Sequence, residues 1–181
     1  MARRTRKKPL SLTNCPIALA ADMIGDRWTL LILRELFHGA TRFGEFAEIL
    51  GAARNLLVER LNRLVDNGLV ERFPLEEAPG RDGYRLTPMG EGTFPIVAAL
   101  LQWGNDWLCP GGAPVELRER AAGEAVVVAV LPRSERPGSL AADDIEMAAG
   151  PGARRGTRER MVFVEQRRRQ TLRGYAKASG D

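Results

Sequence analysis

The chain has 181 residues, 44% of them hydrophobic and 28% charged, with a formal net charge of +4 and a sequence pI near 9.6. That is the size of one domain with an appendage, with enough apolar mass for a core; two cysteines (Cys15, Cys109) and one histidine (His38) exclude a disulfide framework and a four-thiolate zinc site, predict no metal and no cofactor, and leave little for hydrolytic chemistry. The positive excess lies at the ends: residues 1–10 carry +5 and 153–181 carry +6, around a middle of −7.

Residues 1–13 read as a basic arm built on Arg3, Arg4, Arg6, Lys7 and Lys8. Asp22 interrupts the apolar stretch that follows, and no A-x-A-like cleavage site comes after it, so no signal peptide is expected. No apolar run nears the ~20 residues of a membrane span. Pro16–Ile24 reads as a short helix with an early proline and Gly25 at its end. Arg27–Phe37 is apolar and of helical length, ending at His38-Gly39. Thr41 is a suitable N-cap for a helix over Phe43–Leu50, which Gly51 stops. Arg54–Asn67 places Leu57, Leu61 and Leu64 on one helical face. Leu69–Leu75 and Tyr84–Leu86 then read as strands around a turn-rich connector, and Thr87-Pro88 opens a helix from Met89 to about Leu108. The order predicts a mainly α fold with a small β wing, a winged helix-turn-helix over residues 14–110. The Pro/Gly cluster at Cys109–Pro114 ends it. Residues 111–152 read as a small β-hairpin extension, with strands at Glu124–Leu131 and Asp144–Ala149, and 153–181 as an Arg-rich tail. That tail is either solvated and disordered or a nonspecific phosphate contact.

In a helix-turn-helix the second helix enters the major groove. Projection of Arg54–Asn67 at about 100° per residue turns Asn55, Glu59 and Asn62 outward, with Arg54 and Val58 on one shoulder and Arg63 on the other. Asn can pair with adenine, Glu can accept from cytosine, and Arg can reach phosphate or guanine. Arg42 ahead of the preceding helix and Arg81 and Arg85 on the hairpin complete the expected DNA contacts. The bland alternative is an ordinary solvated helix. Residues 11–110 are net negative, with nine basic and 13 acidic side chains, so DNA affinity must come from placed residues.

The runs CPIALAADMIGDRWTLLILRELFHGATRFGEFAEIL, ARNLLVERLNRLVDNGLVER and YRLTPMGEGTFPIVAALLQWGNDWL together resemble the HxlR-type winged-helix transcriptional regulators of bacteria, over about residues 14–108. The resemblance implies a cytoplasmic homodimer on an inverted-repeat operator in double-stranded DNA, more often a repressor. It also implies a dimer contact between the first and last helices, at Ile17, Met23, Phe94, Val97, Leu101, Trp103, Trp107 and Leu108. The last helix is apolar on two stripes, which independently suggests a partner helix; cover by the small second unit is the alternative. Val58 stands where the family often has Ser or Thr, Asn62 where Arg or Lys is common, and Ala53 where a capping Ser is frequent. Cys15 matches a cysteine through which several family members sense electrophiles or disulfide stress. A thiol at a helix N-terminus is favoured as thiolate, although a buried inert cysteine is the plainer reading. Two other functions were weighed against regulation: a winged-helix module that mainly binds protein, and an enzyme with a Cys15–His38 pair, which lacks an orienting group and an oxyanion signature.

Overall fold

A computed structural model describes residues 15–76, 78–131 and 142–178, with side chains of the last helix described to Thr171. The basic arm at 1–13 lies outside the described residues. The first unit runs α1 (Pro16–Ile24), α2 (Arg27–Phe37), α3 (Phe43–Leu50), α4 (Arg54–Asp66), β1 (Val70–Pro74), β2 (Asp82–Leu86), α5 (Pro88–Glu91) and α6 (Phe94–Leu108). The second contains β3 (Val115–Glu119), β4 (Ile145–Ala149) and α7 (Arg155–Ala178). Among the described residues no helix is long and apolar enough to cross a membrane.

Helix α2 is the central element. Its buried residues Ile32, Leu33, Leu36 and Phe37 meet Phe46 of α3, Leu57, Leu61 and Leu64 of α4, and Phe94 and Val97 of α6 in one core. Asp26 starts it, its carboxylate accepting from the amides of Trp28 and Thr29 at 2.9 and 3.0 Å. The same carboxylate accepts from Arg60 Nε at 3.1 Å, so one side chain both caps α2 and ties it to α4. Gly51, at φ +58°, turns the chain from α3 into α4 in a conformation that L side chains rarely adopt.

The wing pairs Val70 with Leu86 through Pro74 with Asp82, antiparallel. The amide of Tyr84 also donates to the Thr41 carbonyl at 2.8 Å, and the Tyr84 ring meets Phe46 edge-on, which fixes the hairpin to the start of α3. The single helix expected from Met89 to Leu108 is divided at Gly92-Thr93. Pro95 has no N–H to donate to the Glu91 carbonyl, and the Gly90 carbonyl accepts from both the amide and the hydroxyl of Thr93.

The second unit differs most from expectation. Ile145–Ala149 pairs not with Glu124–Leu131 but with Val115–Glu119, in the register Val115 to Ala149. The segment after Gly123 lies extended with one isolated bridge, Arg118 to Ala125, and Gln102 of α6 bonds both the amide and carbonyl of Val128. In the strand VELRE only Leu117 is buried, and Glu119 shares its face, so its signal is weaker than that of the apolar run it displaces.

The Arg-rich tail forms helix α7 from Arg155. Met161, Val164 and Arg167 are buried on one face against β4 and α2. Glu35 of α2, 0% exposed, receives Arg34 at 2.7 Å, Arg167 at 3.3 Å, and Arg160 in a short contact. Arg168 donates to the Phe37 carbonyl and Thr171 to the Gly39 carbonyl. Arg160 and Arg167 are thus held by an internal carboxylate that periodicity alone does not reveal, and Arg168 by backbone carbonyls and Asp143.

Candidate nucleic-acid interface

Helix α4 buries Leu57, Leu61 and Leu64 and turns the opposite face to solvent. Arg54, Asn55, Val58 and Glu59 are exposed in its first two turns, where a recognition helix meets base edges. The Arg54 guanidinium lies over the Phe43 ring at 4.8 Å, a stacked position at the α3–α4 corner. Glu59 pairs with Arg60 at 2.7 Å. Arg42 is exposed at the N-cap of α3, where Glu45 accepts from its amide at 2.8 Å.

The remaining expected contacts are placed less simply. Asn62 is half-buried and accepts from Arg72 of the wing at 2.6 Å, so it joins α4 to β1. Arg63 donates to the Asp22 carbonyl of α1 in a short contact, which draws it toward the first helix. Arg85 pairs across the hairpin with Glu71 at 2.6 Å and lies 5.5 Å from the Phe73 ring centroid. Arg81 is exposed at the hairpin end, where Gly80 at φ +78° closes the turn. Gly83 belongs to the same construction: a Cβ there would meet the Phe73 ring at 2.7 Å, so its absence lets Phe73 fold over the wing. Sequence reasoning missed Arg72 and Asp26. An Asp directly before RWTLLILRELF was a legible N-cap signal; the Arg72–Asn62 bond depends on the hairpin's position and had none.

The residues expected at a dimer contact separate into two groups. Phe94 and Val97 are core residues, and Phe94 meets Phe37 edge-on at 5.1 Å, because this side of α6 faces α2. Leu101 and Met23 are half-buried against the same core. Ile17 (80% exposed), Trp103, Trp107 (74%) and Leu108 are exposed, as are Leu19, Ile96 and Leu100. Both α1 and α6 therefore carry exposed apolar side chains.

Cys15 is exposed immediately before α1, and Cys109 is partly buried at the end of α6; neither forms a disulfide. His38 is 3% exposed, with Nε2 2.8 Å from Met147 Sδ and Nδ1 3.6 Å from Glu35. An exposed thiol and an imidazole enclosed by other partners do not form a nucleophile–base pair. Burial pushes the His38 imidazole below its ordinary value, although Glu35 opposes this. Burial alone would raise the Glu35 carboxyl, but His38 and the cations of Arg34 and Arg160 outweigh it and bring it down to about 2.

The model of the HxlR-like helix-turn-helix family matches residues 23–111. The uncharacterized HTH-type transcriptional regulator Mb3122 of Mycobacterium bovis is 45% identical over 109 residues, covering 60% of this chain and 69% of that one. The HTH-type transcriptional regulator YodB of Bacillus subtilis is 33% identical, over 58% of this chain and 95% of its own length. Among solved structures, the crystal structure of PA1607 superposes with a TM-score of 0.66 at 40% identity, covering 76% of this chain and 96% of that one.

Proposed function

The chain belongs to the HxlR-like helix-turn-helix family, a transcriptional regulator with a helix-turn-helix DNA-binding domain, and from that premise we propose that it binds an inverted-repeat operator as a homodimer and represses. The observation that supports this reading is the solvent face of α4, where Arg54, Asn55, Val58 and Glu59 are exposed in the first two turns. Arg42 and Arg81 flank them as phosphate contacts. Each neutralised phosphate steepens the salt dependence by about 0.9 in log K, so a body with few free arginines binds best at low salt. Asn62, Arg63 and Arg85 act in this reading by holding α4, α1 and the wing in place rather than by touching bases.

The exposed apolar surface of α1 and α6 supports the homodimer, since a second copy would cover Ile17, Trp103 and Trp107. Two-fold symmetry then sets two α4 helices on successive major grooves, about 34–36 Å apart. We place the protein in the cytoplasm with its promoter DNA. A second reading, thiol sensing of a small electrophile, is favoured by the exposure of Cys15 beside this surface: its thiolate would add to the electrophile and disturb dimer packing. The test is footprinting of the chain on its own upstream region. Protection of a palindrome is expected, with loss of protection on electrophile treatment in the parent and not in Cys15→Ser. No binding at low salt would refute the DNA reading and favour a protein-interaction module.

A further inference from the structure

The winged domain and the C-terminal unit line an open cleft of about 570 Å³. That volume falls within the usual ~300–1,000 Å³ of small-molecule sites, which often lie between units. One wall is the end of α2 and the start of α6, with Leu36, Phe37, Phe94 and Pro95 as apolar lining. The second comes from β2 and the α2–α3 loop, which supply the hydroxyls of Tyr84 and Thr41. The third is the C-terminal unit, with Ala142, Asp143, Arg168 and Thr171.

The charges around the cavity decide what it can hold. Arg168 lines it but already faces Asp143 at 2.7 Å, and it also donates to the Phe37 and Ala142 carbonyls. Arg85 lines it but is engaged by Glu71 at 2.6 Å. Glu91 is the lining carboxylate left without an ion-pair partner among the described residues. The Tyr84 and Thr41 hydroxyl oxygens can accept from an N–H donor. An anion entering here would meet Glu91 and would have to break an existing ion pair to find a cation. A cation would complete Glu91, and its apolar body would cover the Phe37–Phe94 wall.

We propose that this cavity binds a small aromatic or alicyclic organic cation, an amine or quaternary ammonium, with Glu91 as counter-ion. The occupant would bridge the wing strand β2, the first turn of α6 and the docked helix α7. The site does not depend on the DNA reading, because its occupancy is measured without DNA.

The probe is rhodamine 6G, a xanthene cation with N–H donors, followed by fluorescence polarisation on the full chain. Fluorescein, an anion on the same xanthene frame, is the control. Glu91 is exposed, so its replacement leaves the core intact. Saturable rhodamine binding is expected, weakened several-fold in Glu91→Gln, which removes the ion contact, and at least about tenfold (~1.4 kcal/mol) in Glu91→Lys, which replaces it with a like charge. Fluorescein is expected not to saturate. Absence of saturable rhodamine binding overturns the proposal. So does equal binding of fluorescein, or rhodamine binding indifferent to both Glu91 variants, which would place the dye on the exposed tryptophan surface instead.

Discussion

Replacing Glu35 by Gln keeps the shape of a fully buried side chain and deletes its charge. The carboxyl is held at about 2 against an ordinary 4.5, so its ionised form is favoured by about 2.5 pH units. At ~1.36 kcal/mol per unit this is roughly 3 kcal/mol of stability at neutral pH. A chain of this size shifts by about 2–4 °C for each kcal/mol, so Glu35→Gln is expected to melt roughly 6–12 °C lower. The pH dependence has a definite sign. The unfolded Glu35 takes up its proton near 4.5 and the folded one near 2, so this stability is present above 4.5 and lost as pH falls through that window. His38 acts in the same direction at higher pH: its folded value lies below 6.5, so the unfolded chain binds the proton first and stability declines as pH drops below about 6.5. Urea melts followed by circular dichroism from pH 8 to pH 3 measure both. The parent should lose stability in two stages, and in Glu35→Gln the lower one should shrink to what other lowered carboxyls such as Asp26 contribute. A variant within about 0.5 kcal/mol of the parent at pH 7, or one that retains the full acid loss, would refute the internal carboxylate as the clamp of α7. Limited proteolysis offers a second readout, since the clamp joins α2 to Arg160 and Arg167; cleavage within α7 should accelerate in the variant.

Other substitutions probe the remaining parts. Asp26→Ala removes the α2 cap and the Arg60 contact together and should cost about 1–2 kcal/mol in a urea melt, while Asp26→Asn should recover part of it by retaining the cap. Asn55→Ala should lower operator affinity by about 1–3 kcal/mol in a gel shift and relax preference at one base pair, whereas Arg81→Ala should weaken all sequences alike and reduce the salt slope by about one. Trp107→Glu, on a residue 74% exposed, should leave the melt of a dilute sample nearly unchanged and convert the dimer to monomer in sedimentation velocity; an unaltered dimer would remove α6 from the interface.

The order of the first six elements was legible because it rests on local rules. Gly51 and Gly68 punctuate, Leu57, Leu61 and Leu64 repeat at helical spacing, and Thr87 caps α5. The outward face of α4 follows from the same periodicity, which is why Asn55 and Glu59 lie where the sequence puts them. The break at Thr93 was also within reach, since Pro95 cannot donate to the helix ladder.

The rest required three dimensions. Phe94 and Val97 belong to an apolar helix whichever side faces α2, and only packing assigns them to the core and Trp103 and Trp107 to solvent. Glu35 sits beside Arg34 within an otherwise apolar run, and Arg160 and Arg167 sit more than a hundred residues away in a basic tail. Neither position signals the other, because a buried ion pair leaves no periodic trace. The sequence by itself determined the winged helix-turn-helix and the solvent face of α4, through short-range hydrogen bonding and hydrophobic spacing. The tertiary structure decided that the arginine tail is a docked helix, because the fully buried Glu35, already paired with Arg34 of its own helix, also takes Arg160 and Arg167 from α7.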